Sequence, residues 1–410
     1  MRRLNSVTTG AVIAGAAVAV AAGTMLTACG NGHGSGPDPA PVTIAAMPHQ
    51  CTRSGPVVFV VSGRRSSPAP ALTGAMSTAA QTAINQGSPI GLVDLDGKPR
   101  LTMAGRFSDP GVNSEARQND QDNYTNELTA AVQGTRAKYP HADMLDALNQ
   151  AGRAAQAGCS HGGTIYVEDS GLQETGPVNF RQPGLLAATP ADVVNFLKGE
   201  NELPHLAGLK VVFAGLGDTA APQAPLSIAQ QDNVIAIWKA VAYAGGATSV
   251  VIDPTPRAGI SAPQHVPPVL LVPVPAEPTW NSADHRFVFP DSGAVGFEPN
   301  LTVFRDPAAA LAALRPLATY LAANPSARIE LTGTTAHWGT LASCKILARN
   351  RASTVKNVLV SMGAKADQIR IQGLGWLFPG YENDQGPNGT LLPGPAEHNR
   401  SVIVTQLPSS

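Results

Sequence analysis

Cys159-Ser160-His161 sets a thiol two residues from an imidazole. That is the pair a cysteine nucleophile and its base require, and it serves only while the thiol stays reduced. The other stretches with chemical potential are incomplete. Gly215-Leu216-Gly217-Asp218 follows an apolar run but lacks the third glycine and the lysine of a phosphate cradle. NDQDN at 119–123 gathers carboxylates without the glycine and distal glutamate of a calcium loop, and reads as a solvated helix start. No His-Glu-x-x-His pattern occurs. Arg351 shares a helical stripe with Leu347, Val355, Val358 and Met362. On such a face an arginine either snorkels and pairs with Glu330 or Asp367, or reaches a ligand, and both alternatives stay open. Catalysis finds little support in these residues. The reading is of a non-enzyme with no cofactor and no metal.

The elements that must position these groups fall into two alternating α/β stretches, and 410 residues is the length of two domains rather than one. VVFVVS at 57–62, TIYVED at 164–169, KVVFAGLG at 210–217 and SVVID at 249–253 are β-branched runs suited to strands buried on both faces. Residues 90–105 read as a hairpin turning at Asp96-Gly97. Helices are expected at about 69–85, 190–199 and 227–245, the second opened by Thr189 as cap and Pro190 in its first turn. This order predicts a doubly wound, mostly parallel α/β sheet with one antiparallel member over 55–253. Residues 254–285, with PPVLLVPVPAEP, are expected as an extended linker, 269–274 being suited to pair on a sheet edge. A second stretch, 286–406, offers helices at 306–323 and 340–362 and strands at 327–333, 368–375 and 400–406, with a Gly/Pro-rich loop before the last.

The chain starts with Arg2 and Arg3, runs apolar from 11 to 22, and reaches Leu26-Thr27-Ala28-Cys29. A basic start, a short apolar stretch and small residues before a cut describe an export signal over 1–28. It resembles the bacterial lipoprotein signal, in which the cysteine is acylated, and this makes Cys29 the expected lipid attachment site. No other run approaches the ~20 apolar residues of a membrane span. Residues 29–54 are a Gly/Pro-rich spacer. The expected location is therefore the cell envelope, with the chain held to a bacterial membrane by lipid. A formal charge of −1 leaves no basic stripe for nucleic acid.

Gly333-Thr334-Thr335-Ala336-His337-Trp338-Gly339 is followed at fixed intervals by Cys344, Leu347-Ala348, Arg351-Ala352, Val355 and Asn399-Arg400-Ser401-Val402. This spacing resembles the OmpA-like domain, a βαβαβ module that holds peptidoglycan without a covalent bond, over residues 286–406. That family's loop runs Gly-x-Thr-Asp-x-x-Gly, its helix carries Asn, Leu-Ser, Arg-Ala and Val, and it closes on Asn-Arg-Arg-Val. Its Asp meets the ammonium of diaminopimelate and its Arg forks onto the carboxylate. The resemblance implies ligand contacts from Thr335, Arg351, Asn399 and Arg400. The family's Asp, Asn and Ser have become Ala336, Cys344 and Ala348. One hydrogen bond to a charged group is worth about 1.5–3 kcal/mol, so wall binding is expected to be weak, and an acid restored at 336 to strengthen it. With Arg351 and Arg400 kept, the site should favour a carboxylate or phosphate over a zwitterion.

About residues 55–253 resemble, by strand pattern, the von Willebrand factor A fold. That family often holds Mg²⁺ with Asp-x-Ser-x-Ser after the first strand, a Thr before a helix and an Asp after the fourth strand. Here stand Ser62-Gly63-Arg64-Arg65-Ser66, Ala142 and Asp169. A divalent ion needs oxygen ligands rather than an arginine pair, so no metal is expected. In the A-type order the strands after Cys51 and Cys159 are parallel neighbours, which implies a disulfide between these two cysteines and leaves Cys344 as a lone buried thiol. Together the readings describe a non-catalytic, lipid-anchored envelope protein whose partners are peptidoglycan and other envelope proteins. The alternative is a protein–protein scaffold with no peptidoglycan binding.

Overall fold

All five residues of VVFVV are buried, and they divide their work. Val58 and Val60 join one core while Val57, Phe59 and Val61 join another, because successive strand side chains point to opposite faces. These residues form β1 (Val57–Val61) in the middle of a six-stranded sheet. The computed structural model describes residues 47, 55–72, 74–108, 111–157 and 162–408. Cys29, Cys51 and Cys159, with the signal, the lipid site and the disulfide expected of them, lie outside the described residues.

β2 (Ile90–Asp94) runs parallel to β1, and β3 (Arg100–Gly105) turns back antiparallel along the edge. On the other side β4 (Thr164–Glu168), β5 (Lys210–Ala214) and β6 (Ser249–Asp253) follow in parallel, giving the order β3-β2-β1-β4-β5-β6. The hairpin turn is held by the buried Asp96. Its carboxylate accepts the Lys98 N–H at 2.8 Å and those of Lys138 and Tyr139 at 2.9 and 3.1 Å. α1 (Gly74–Gln86) and α2 (Ser114–Gly134) cover one face of the sheet through Met76, Ala80, Leu128 and Val132. α3 (Met144–Ala157), α4 (Pro190–Gly199) and α5 (Ile228–Ala244) cover the other.

The helix expected from 69 starts five residues later, because Pro68 and Pro70 restrict the residues before them to extended conformations. α4 has the expected bounds, but the Thr189 hydroxyl donates to the Asp192 carboxylate at 2.7 Å instead of capping a backbone N–H. Ser227 and Gln230 form a reciprocal cap on α5.

The second sheet has the order β7-β10-β8-β9, from β7 (Arg286–Pro290), β8 (Arg328–Thr334), β9 (Ile369–Gly375) and β10 (Ser401–Leu407). β10 is antiparallel to both neighbours, and β8 and β9 are parallel. α6 (Pro307–Ala323) and α7 (Leu341–Ser361) pack one face with Leu314, Leu317, Val355 and Leu359. Gly333 is required at the crossing of β8 and α7, where a Cβ would collide with the Ala348 carbonyl. A short helix, α8 (Pro393–Asn399), forms inside the stretch expected as loop, with Pro393 in its first turn.

Both sheets lie in one compact unit, each with its own core. The linker is extended, but 269–274 form no strand. Val272 is buried, and both its N–H and its C=O bond the Gln223 side-chain amide at 2.9 Å. One side chain thus supplies the pairing expected of a sheet edge. The two parts meet where the 3₁₀ turn Leu185–Ala187 packs on α8. Gly184, at φ 81°, has no room for a Cβ against the Gly394 carbonyl.

Candidate functional site

The loop between β8 and α7 carries the motif that names the C-terminal candidate. Thr340 caps α7 by accepting the Ser343 N–H, and the Thr335 N–H donates to the Gly375 carbonyl at 3.0 Å. Ala336, where the family pattern has an acid, is 3% exposed and sealed under Leu391 and Ala396. The neighbouring His337 N–H donates to Asp384 at 2.8 Å. Asp384 is wholly buried and also accepts the Tyr381 hydroxyl at 2.6 Å and the Asn399 amide at 3.0 Å. Asn399 completes its bonding on Glu382, accepting its N–H at 3.0 Å and donating to its C=O at 2.7 Å. Cys344 is a free buried thiol, as expected, donating to the Trp338 carbonyl at 3.1 Å. Of the four expected contacts, Asn399 is therefore spent on the 382–384 turn. Thr335 is buried with its hydroxyl unpartnered.

Arg351 is 5% exposed. Its Nε donates to the Leu301 carbonyl at 3.0 Å, its Nη2 to the Glu298 carbonyl at 3.3 Å, and Nη1 lies 3.5 Å from the Asp291 carboxylate. The guanidinium also sits 5.0 Å from the centre of the Phe297 ring. Its ion-pair partner is thus Asp291, not Glu330 or Asp367; Asp367 pairs instead with Arg328 at 3.8 Å. Arg400 points elsewhere, its Nη1 lying 2.7 Å from Asp192 on α4 and 3.9 Å from Glu397. Burial alone would lower the Arg400 pKa, but the charges of Asp192 and Glu397 raise it overall. Glu397 is 2% exposed, with Arg400 Nη1 3.9 Å from its carboxylate and the Ser292 side chain as a further hydrogen-bonding neighbour. Burial, and then the charge of Asp291, push its carboxyl up to about 8 against the pull of Arg400 and Arg305. Arg351 and Arg400 do enter one charge cluster with Asp291, Arg305 and Glu397, and each is committed to an acid of the chain itself. Neither Asp192 nor Asp291 lies in a recognisable motif, so pattern reading passed over both.

A second candidate lies in the first sheet, where β1 and β4 end side by side and the winding reverses. There Arg64 is wholly buried and bonds Asp169, at 3.1 Å, and Glu174, at 2.5 Å. Asp169, the single residue matching the metal-ligand pattern, thus meets a guanidinium, while Arg65 faces solvent. Nearby, Glu168 pairs with Arg257 at 2.6 Å and accepts the Ala71 N–H at 2.9 Å. Burial raises the Glu168 carboxyl to about 7. Among the described residues no group of His, Cys, Asp or Glu is arranged to hold a metal ion.

The pattern reading also overlooked that Gly158-Cys159-Ser160-His161-Gly162 has Gly-x-Ser-x-Gly spacing. A nucleophile elbow joins a strand to the helix after it, whereas this segment joins the end of α3 to the start of β4. A cleft of about 840 Å³ opens between the two parts, lined by Leu186 and Ala236 on one side and Val288, Ile403 and Glu397 on the other.

Residues 297–388 match the OmpA family. No curated protein matches the chain. Among solved structures it is similar to the peptidoglycan-associated lipoprotein of Burkholderia pseudomallei, at 23% identity over 27% of this chain and 86% of that one, with a TM-score of 0.23. It is also similar to the periplasmic domain of Helicobacter pylori MotB, at 19% identity over 30% and 83% of the two chains, with a TM-score of 0.25. The OmpA-like domain of FopA1 from Francisella tularensis follows at 15% identity, 30% and 73% coverage and a TM-score of 0.22. At these scores the likenesses carry no functional weight.

Proposed function

We propose that the chain is an exported, non-catalytic protein of the bacterial cell envelope, lipid-anchored through Cys29, whose OmpA-like module associates weakly with peptidoglycan. The match of residues 297–388 to the OmpA family supports the class of module. The order β3-β2-β1-β4-β5-β6 with an antiparallel β3 supports an A-type domain before it. The observation that carries the weakness of the grip is the ion pair between Arg400 and Asp192 at 2.7 Å. An arginine that would reach for a wall carboxylate is held by a carboxylate of the first domain, and a ligand must displace that partner. The same pair favours a second reading, an envelope scaffold with no wall binding, in which the motif arginines serve the fold.

Sedimentation of the full chain with purified cell wall separates the two. Asp192→Ala should increase the bound fraction several-fold, and Asp192→Ala with Arg400→Ala should return it to the wild-type level. A folded Asp192→Ala chain that sediments no more than wild type would leave the scaffold reading.

A further inference from the structure

In a doubly wound sheet the crevice at the strands' C-terminal ends, where the winding reverses, is the natural ligand site. Between β1 and β4 that crevice is filled from within. The buried Arg64 guanidinium donates to Ser62 Oγ at 3.2 Å, Ser66 Oγ at 2.7 Å and Ser170 Oγ at 2.8 Å. It also donates to both Asp169 oxygens at 3.1 Å and to Glu174 Oε1 at 2.5 Å. Every one of these acceptors is a side-chain oxygen, and they come from loops about a hundred residues apart.

Local geometry fixes the inward turn. A Cβ on Gly63 would strike the Thr135 carbonyl, and the Asp169 carboxylate is oriented by the Gly171 N–H at 2.7 Å. Burial alone would lower the Arg64 pKa, but Asp169 and Glu174 reverse this and hold the guanidinium charged. Glu174 Oε2 is buried without a hydrogen-bond partner. The cage therefore carries more acceptor capacity than its cation satisfies.

A hard divalent ion takes such oxygens at about 2.0–2.6 Å, with six to eight ligands for Ca²⁺. A guanidinium takes them at about 3 Å through five N–H groups in a planar fork. The Mg²⁺ that an A-type fold implies does not fit here, because the side chain occupies its space.

We infer that the Arg64 guanidinium is the resident cation of this site. It neutralises the Asp169–Glu174 pair as a metal ion would, and it closes the corner to any ligand that must bind through a metal. The oxygen cage beneath it is a latent site for a divalent cation, uncovered when the side chain is removed.

The test uses the full chain, its thermal midpoint and titration calorimetry with Mn²⁺, Ca²⁺ or EDTA. The wild-type midpoint should ignore all three. Arg64→Ala should melt several degrees lower in EDTA and recover with millimolar Mn²⁺ or Ca²⁺, with measurable heat of binding, and Asp169→Asn added to it should abolish the recovery. Arg64→Lys keeps a positive charge and should stay blind to metal. If Arg64→Ala does not fold, Arg64→Gln is measured in its place with the same expected recovery. A folded Arg64→Ala or Arg64→Gln chain unmoved by either ion, or a wild-type chain stabilised by them, overturns the inference.

Discussion

Replacing Glu397 with Gln should stabilise the protein at neutral pH, and the size of the gain follows from the proton the native chain holds. The carboxyl titrates near 4.5 when unhindered, and in the fold it is raised to about 8 by burial first and the Asp291 charge second. A raised carboxyl contributes fully below pH 4.5 and loses its contribution as the pH climbs through about 8. At pH 7, which is 2.5 above the unhindered value, keeping the group protonated costs about 3 kcal/mol at ~1.4 per pH unit. Gln has nearly the shape of the neutral acid and no proton to hold. Urea denaturation at pH 5, 7 and 8 should therefore show Glu397→Gln within about 1 kcal/mol of wild type at pH 5 and above it by about 3 kcal/mol at pH 7. Wild-type stability should fall from pH 5 to pH 8 more steeply than that of the variant. Equal slopes, with Glu397→Gln the weaker protein at pH 8, would mean that Glu397 is ionised and held by Arg400, and the reasoning would be refuted.

Arg351→Ala removes one of the two cations on the buried Asp291 and three further contacts, so it should cost about 3 kcal/mol in denaturant unfolding. Loss of wall binding with unchanged stability would instead make Arg351 a ligand residue. Ala336→Asp would place a carboxylate under Leu391 and Ala396, beside the buried Asp384. It should lower stability by about 2 kcal/mol or more at pH 7. The variant should recover part of the loss at pH 4, and wall sedimentation should not increase; a folded variant of unchanged midpoint that binds wall tightly would overturn this.

The strands of the first sheet were legible because full burial leaves little choice but Val, Ile and Phe, and Pro190 marked the start of α4. The turn at Asp96 could be read from the adjacent Asp96 and Gly97, but the bonds of its carboxylate to the distant Lys138 and Tyr139 could not. Three strands of the second sheet were legible as apolar runs, and the loop after β8 through its glycines, of which Gly333 is fixed by contact with Ala348, whereas β7, paired only along β10, was not foreseen. Nor were the roles of the charged residues. Arg351 was readable as lying on an apolar stripe, yet its partner Asp291 is sixty residues away in a stretch without periodicity. Arg400 is answered by Asp192 from the other sheet's helix, and no local pattern encodes a contact between parts folded around separate cores. α8 escaped notice because Gly394 and Pro395 are poor helix formers, and its position is set by packing on the Leu185–Ala187 turn.

The Gln223 clasp on Val272 sets how far the two parts can travel if they separate. Unfastened, residues 253–286 would span about 115 Å at full extension, and with Val272 held the remaining 272–286 reach about 50 Å. The clasp bonds both polar groups of one buried residue, so it should outlast the more exposed contacts of Glu200 with Asn388 and Thr390. A detached OmpA-like module would then search a volume roughly a tenth as large, and the local concentration of Arg400 around Asp192 rises by the same factor. Any opening would thereby be short-ranged, with the Asp192 carboxylate kept near Arg400 throughout.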